Sequence, residues 1–228
     1  MKKEEALKSP RLPAAGGFDA VEMFESEFAA DTMYESLFLS GGDFSDQSAD
    51  HLILSTCHFQ GVYFGRAEWS AVDMSDTRFD ECDFANASWH KGILDRVEVV
   101  GSRLLGLKVS EARLWNTVFR ECNASLAQFR FCTFKAARFE SCNLNGADFQ
   151  DADLRGVVFS NCDLREARMS GAKLENADLR GSNLEGLRIG IESLNGAIVE
   201  PAQASYLAGL MGLKVRPVDG EENLGARS

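Results

Sequence analysis

Residues 147–156 read Ala147-Asp148-Phe149-Gln150-Asp151-Ala152-Asp153-Leu154-Arg155-Gly156, a five-residue unit written twice. Extended in both directions, the unit organises most of the chain. Every fifth residue from Phe44 to Val199 is large and apolar except Ala49 and Ala124. Two residues before each stands a second series of small side chains, among them Cys57, Ala67, Cys82, Ala87, Cys122, Ala127, Cys132, Ala137, Cys142 and Cys162. Only Gln47, Leu52, Leu107, Leu187 and Glu192 exceed the size of Val in that second series. A helix needs an apolar period of 3.6 and a strand a period of two, so period five fits neither. Within one unit, however, the two apolar positions are spaced i, i+2, as on one face of a short strand. The chain therefore points two side chains inward, turns a corner over the other three, and repeats. Four corners close a coil of about twenty residues, and stacked coils pair backbone to backbone at ~4.8 Å. The reading is all-β: a quadrilateral β-solenoid in which each coil buries its core against its neighbours.

A period of twenty places Phe59, Phe79, Val99, Phe119, Phe139 and Phe159 on one wall, and Cys82, Cys122, Cys142 and Cys162 on another. Those thiols occupy slots that Ala and Ser also fill, so they read as buried small residues. Toward the N-terminus, Phe18, Met23, Phe28, Met33 and Phe38 are also five apart, preceded at two residues by Gly16, Val21, Ser26, Asp31 and Ser36. The step from Phe38 to Phe44 is six, which predicts one extra residue near Gly41-Gly42. After Phe44 no loop breaks the register unless its length is a multiple of five. Lys91 to Val109 is where one would hide, because Val97 and Leu107 overfill small slots.

The expected organisation is a mobile tail over 1–15, the repeat over 16–200 in roughly nine coils, an end segment over 201–216 and a disordered tail over 217–228. Pro201 suits a first helical turn, and Ala204, Leu207, Ala208 and Met211 follow at helical spacing before Gly212. This helix is expected to cap the last coil or to join two chains, with Tyr206, Leu207, Leu210 and Met211 as its contact residues.

The 228 residues carry 24 Lys and Arg against 35 Asp and Glu, a net charge of −11, which argues against a general nucleic-acid binder. Charge is uneven: Glu22 to Gly101 holds 16 acidic and 4 basic residues, whereas Ser102 to Pro201 holds 13 of each. Asp43, Asp46, Asp50, Asp73, Asp76, Asp80, Glu81 and Asp83 fall at outward positions of the repeat and are the expected partner-binding residues. No apolar run spans a membrane and no secretory leader is read, so a cytoplasmic protein with reduced cysteines is expected. Three His, no phosphate-binding loop, no nucleophile elbow and no zinc-binding pair predict neither catalysis, metal nor cofactor. Cys57 and His58 are adjacent and so point to opposite faces, which removes them as a nucleophile–base pair.

With units such as Ala147-Asp148-Phe149-Gln150-Asp151 and Ala177-Asp178-Leu179-Arg180-Gly181, the chain resembles the pentapeptide-repeat proteins over about residues 16–215. That resemblance implies a right-handed quadrilateral β-helix. The ending, from Gly196-Ala197-Ile198-Val199 through Gln203-Ala204 and Leu207-Ala208 to Gly212-Leu213, is similar to the Qnr-type and mycobacterial fluoroquinolone-resistance subgroup. Members of that subgroup are rod-shaped dimers joined at the C-terminal helix that bind DNA gyrase or topoisomerase IV in the manner of B-form DNA. By that resemblance the chain is a topoisomerase-binding DNA mimic with no direct nucleic-acid contact. The alternative is a scaffold whose acidic coils dock a different basic protein surface.

Overall fold

Two inward side chains in every five leave one strand-length face and one corner per unit, and the backbone follows that rule. In the computed structural model, which describes residues 6–13, 17–20 and 28–216, all paired strands are parallel. One ladder passes through Phe38, His58, Arg78, Glu98, Val118, Arg138, Val158, Asp178 and Ile198, a shift of twenty residues at each rung. Three further faces repeat the same shift, for example Asp43, Tyr63, Asp83, Arg103 and Asn123. The molecule is a right-handed β-solenoid closed at its C-terminal end by the helix Pro201–Leu210.

From Ser36 to Gly186 each corner is made by a residue with left-handed backbone, and a 3-10 turn over Ile191–Leu194 takes the place of the next. At some corners a tight turn closes, as where Ala67 N–H donates to Phe64 O at 3.1 Å with Arg66 at φ 57°. At others the strand runs through the corner, so Asp73–Asp80, Ile93–Val100 and Arg113–Arg120 each cover two faces around Asp76, Arg96 and Asn116.

The core is a stack of rings. Phe59 lies on Phe79 at 5.0 Å and 10°, Phe64 on Phe84 at 4.8 Å and 12°, and Trp69 on Trp89 at 6.3 Å and 7°. A second stack joins Phe119, Phe139 and Phe159, beside Phe129 on Phe149. The ring spacing is close to the strand spacing because one side-chain conformation is repeated from coil to coil. Between the two stacks lies an aliphatic coil in which Leu94, Val99, Leu104 and Val109 are fully buried. Val97 and Leu107 are fully buried in that coil too, and its register stays at twenty through Val99↔Phe79 and Lys108↔Ser88. No loop is hidden there. Val99 and Val109 replace rings, and the larger Val97 and Leu107 on the same two faces take up the space released.

The N-terminal phase differs from the expectation. Met33 is 54% exposed and Phe38 is only half-buried, while Leu37, Leu39 and Phe44 are buried and Tyr34 packs on the core. Met33↔Ile53 and Phe38↔His58 already have the twenty-residue register, so no residue is inserted at Gly41-Gly42. The irregularity lies earlier: Asp19 pairs with Leu37 and Ala20 with Phe38, an interval of eighteen. Phe28 and Tyr34, six apart, both turn inward and meet edge to face at 5.1 Å. Phe28 then contacts Phe44, Phe59, Phe64 and Trp69 and plugs the open end of the core. Phe38 stays outside because it has partners there, Phe18 at 5.9 Å and His58 at 5.2 Å. Gly16, Val21, Met23, Ser26 and the segment from residue 217 lie outside the described residues.

Residues 6–13 lie along the solenoid. Arg11 N–H donates to Asp76 Oδ1 at 2.9 Å and Lys8 N–H to Asn116 Oδ1 at 3.2 Å, so this short strap spans coils forty residues apart in sequence.

Candidate partner-binding surface

The outward acidic residues occupy all four faces and three of the corners. Asp43 and Asp83 share one ladder with Tyr63 between them, and Tyr63 is 56% exposed. Asp50 sits on the face with Glu68, Asp73 on the face with Ile53 and Ile93, and Asp80 on the face with Gln60. Asp46, Asp76 and Glu81 are left-handed corner residues. No single face collects them; they ring the N-terminal coils.

Half of them are neutralised within the chain. Asp46 pairs with Arg66, Asp76 with Arg96 and Asp83 with Arg103, each partner twenty residues on and so directly one coil above. Asp80 receives Arg78 Nε at 2.7 Å and lies 2.7 Å from His58 Nε2, while Arg78 Nη1 reaches Glu98 at 3.0 Å. These contacts shield their carboxylates: the side chains of Asp76, Asp80 and Asp83 are only 15%, 19% and 23% exposed, against the free exposure that outward positions imply. Asp43, Asp50, Asp73 and Glu81 are exposed and have no ion-pair partner among the described residues.

The local environments set the charge of each group. The Arg66 hydrogen bonds hold Asp46 below the usual carboxylate range, and those of Arg96 do the same for Asp76. Burial works to raise Asp80, but the hydrogen bonds from Arg78 and His58 outweigh it and leave the group depressed. Hydrogen bonds from Ser45 lower Asp43. Asp73 is raised, first by desolvation and then by the Asp95 carboxylate.

At the other end the helix residues divide into two sets. Leu207 is buried on the last coil, and Tyr206 packs beside it with its hydroxyl accepting from Gly186 N–H at 2.6 Å. Leu210 and Met211 point away and are 50% and 39% exposed, next to exposed Leu213 and Val215. The residue that secures the helix is one the apolar pattern passes over. Gln203 is buried, and its Nε2 donates to both Leu179 O and Ser182 O at 2.7 Å while its Oε1 accepts from Glu200 N–H at 3.0 Å. Pro201 and a Gln three residues after Glu200 were the available signals for this cap.

The thiols are interior groups. All six cysteines are buried and free; burial pushes Cys57 up to about 11 and Cys82 and Cys132 up to about 12. No three His, Cys, Asp or Glu side chains converge on a metal position among the described residues. No helix among them is long and apolar enough to cross a membrane.

Residues 100–169 match the pentapeptide repeat region family. Among solved structures, a trypsin-treated variant of QnrB1, a plasmid-mediated fluoroquinolone resistance protein, is similar at 23% identity, covering 82% of this chain and 93% of its own, with a TM-score of 0.58. HetL, from the cyanobacterium Nostoc sp. strain PCC 7120 and involved in heterocyst differentiation regulation, is 18% identical over 82% of this chain and 90% of its own, with a TM-score of 0.24. Rfr23 from the cyanobacterium Cyanothece 51142 is 22% identical over 47% of this chain and 64% of its own, with a TM-score of 0.26. No curated protein sequence matches. The five-residue period and the four-sided coil continue on both sides of the matched segment, so residues 100–169 carry a pentapeptide repeat region inside a longer solenoid of the same period.

Proposed function

We propose that the chain binds a type II topoisomerase, DNA gyrase or topoisomerase IV, through its acidic N-terminal coils, and modulates the enzyme or protects it from a poison. The observation that carries this reading is the charge density of those coils. Sixteen acidic and four basic residues between Glu22 and Gly101 give −12 over four coils, or −3 per coil. Duplex DNA has one charge per ~1.7 Å, about three per ~4.8 Å coil. Asp43, Asp50, Asp73 and Glu81 are the carboxylates free to meet a cationic DNA-binding groove. The solved structure of QnrB1, a fluoroquinolone resistance protein, lends the fold-level analogy. In this reading the exposed Leu210 and Met211 join two rods end to end and place the acidic coils at both tips. The action is binding, not catalysis.

Gyrase supercoiling with purified protein, with and without a fluoroquinolone, is the test. Supercoiling restored with less drug-induced cleavage is the result expected of a protecting protein, and inhibition alone that of a modulator. Replacing Asp43, Asp50 and Asp73 with Asn and Glu81 with Gln should weaken either effect and its salt dependence. No effect on either enzyme at about ten micromolar, a concentration ample for a specific complex, overturns the reading. It would leave the alternative, an acidic scaffold for a different basic protein.

A further inference from the structure

Two corners of one coil break the chemistry of all the others. Among the non-glycine residues with left-handed backbone, nearly all are polar, charged or Ala; Leu126 at φ 58° and Phe131 at φ 57° alone are large and apolar. Bulky side chains are disfavoured in this conformation, where Gly, Asn and Asp fit best. Neither recovers the penalty by burial, since Leu126 is 59% and Phe131 58% exposed. They stand at successive corners and flank one face, with Leu126 leaning over Gly146 in the coil above.

The two coils that carry them, taken around all four faces, are also the reverse of the rest of the molecule in charge, although Glu111 and Asp151 stand at the corners one coil below and above Phe131. Residues 103–140 contain seven Lys and Arg against three Glu, a net +4 in a chain of net −11. Lys108 lies one rung below Gln128 on the face between the two apolar corners, and Arg113 lies one rung below Thr133 on the next face. Both are exposed and without an ion pair among the described residues. Arg130, on the flanked face, is held by Asp148 and Gln150.

We propose that Leu126 and Phe131, framed by Lys108, Arg113 and Arg130, form a second docking surface, for an acidic protein segment carrying apolar side chains. Charge complementarity selects the sign of the partner and the two exposed apolar anchors select its class. The cationic belt is two coils high, about 10 Å and no more than a Debye length. A nucleic-acid strand would run off it onto acidic coils on both sides, whereas a short acidic peptide stays within it. This surface is separate from the acidic N-terminal coils and does not depend on the topoisomerase reading.

Fluorescence anisotropy of a fluorescein-labelled peptide of about a dozen residues, alternating Glu with Leu and Phe, tests it. The full chain should bind this probe, and the doubly substituted L126N/F131N chain should bind it at least about tenfold more weakly. Asn suits the left-handed corner, so the melting temperature of that variant should stay level or rise. K108Q/R113Q should weaken binding and flatten its salt dependence. The proposal is overturned if L126N/F131N binds as the parent does, if a peptide with Lys in place of Glu binds equally well, or if single-stranded oligothymidine binds more tightly. It is likewise overturned if light scattering shows that these corners serve to join copies of the chain, through oligomers that L126N/F131N dissolves.

Discussion

Replacing Gln203 with Leu keeps the size of the side chain and deletes three hydrogen bonds, two to Leu179 O and Ser182 O and one from Glu200 N–H. At about 1 kcal/mol net for each bond, the loss is about 3 kcal/mol, with more if a carbonyl is left buried and dry. In a repeat stack that loss falls on the terminal coil and its helix before it reaches the centre. Amide exchange of residues 179–198 should therefore accelerate by roughly two orders of magnitude while residues 59–99 hardly change. Gln203→Glu sharpens the test. It turns a donor into an oxygen facing two carbonyls, so desolvation and lone-pair repulsion raise its folded pKa. A raised carboxyl destabilises above its folded pKa and ceases to do so as pH falls below its unfolded value, so Q203E should regain cap protection toward pH ~4. If Q203L leaves exchange of the last coil unchanged, the cap is held by Leu207 packing alone and the hydrogen-bond argument fails.

Two glycine substitutions separate backbone strain from crowding. Gly61→Ala at φ +62°, with nothing near the new Cβ, should lose about 1 kcal/mol, whereas Gly42→Ala at φ +108° brings Cβ to 2.9 Å from the Phe44 ring and should lose at least twice that, read by denaturant unfolding. Asp76 and Asp73 should respond oppositely to conversion to Asn. Asp76 is depressed by Arg96, so its contribution, about 2 kcal/mol, is present above pH ~4 and lost as pH falls through its lowered pKa; D76N should melt lower at pH 7, and the gap to the parent should shrink steadily as the solution is acidified below pH ~4. Asp73 is raised by desolvation and Asp95, so D73N should gain a few tenths of a kcal/mol at pH 7 and nothing below pH ~3.

The solenoid was legible because its signal is repetitive: an inward pair every five residues admits few other backbones, and the stacked rings and thiols fall where a twenty-residue coil puts them. Legibility failed where the repeat meets its own ends. Met33 and Phe38 continue the apolar spacing but face out, since Phe38 finds Phe18 and His58 on the surface. Period alone does not tell which of two apolar series turns inward. The repeat puts the acidic positions on the outside, yet outward is not the same as free. The partner of Asp46, Asp76 or Asp83 stands at plus twenty, so opposite charges one coil apart are the trace these pairs leave in the sequence. The strap over Asp76 and Asn116 left no such trace, because main-chain donors carry no sequence signature.

The aliphatic coil between the two ring stacks divides the molecule optically as well as sterically. Trp69 and Trp89 are buried on its N-terminal side, and the buried rings on its C-terminal side are all Phe. Trp115, on the C-terminal side, is exposed, so the blue-shifted component of the tryptophan emission watches one half of the rod, while the amide circular dichroism watches the whole. In a quasi-one-dimensional stack, cooperativity passes only from neighbour to neighbour, and a rung that exchanges rings for Val is its weakest relay. Should the two signals report different midpoints, the difference measures how much of the unfolding cooperativity that one coil transmits.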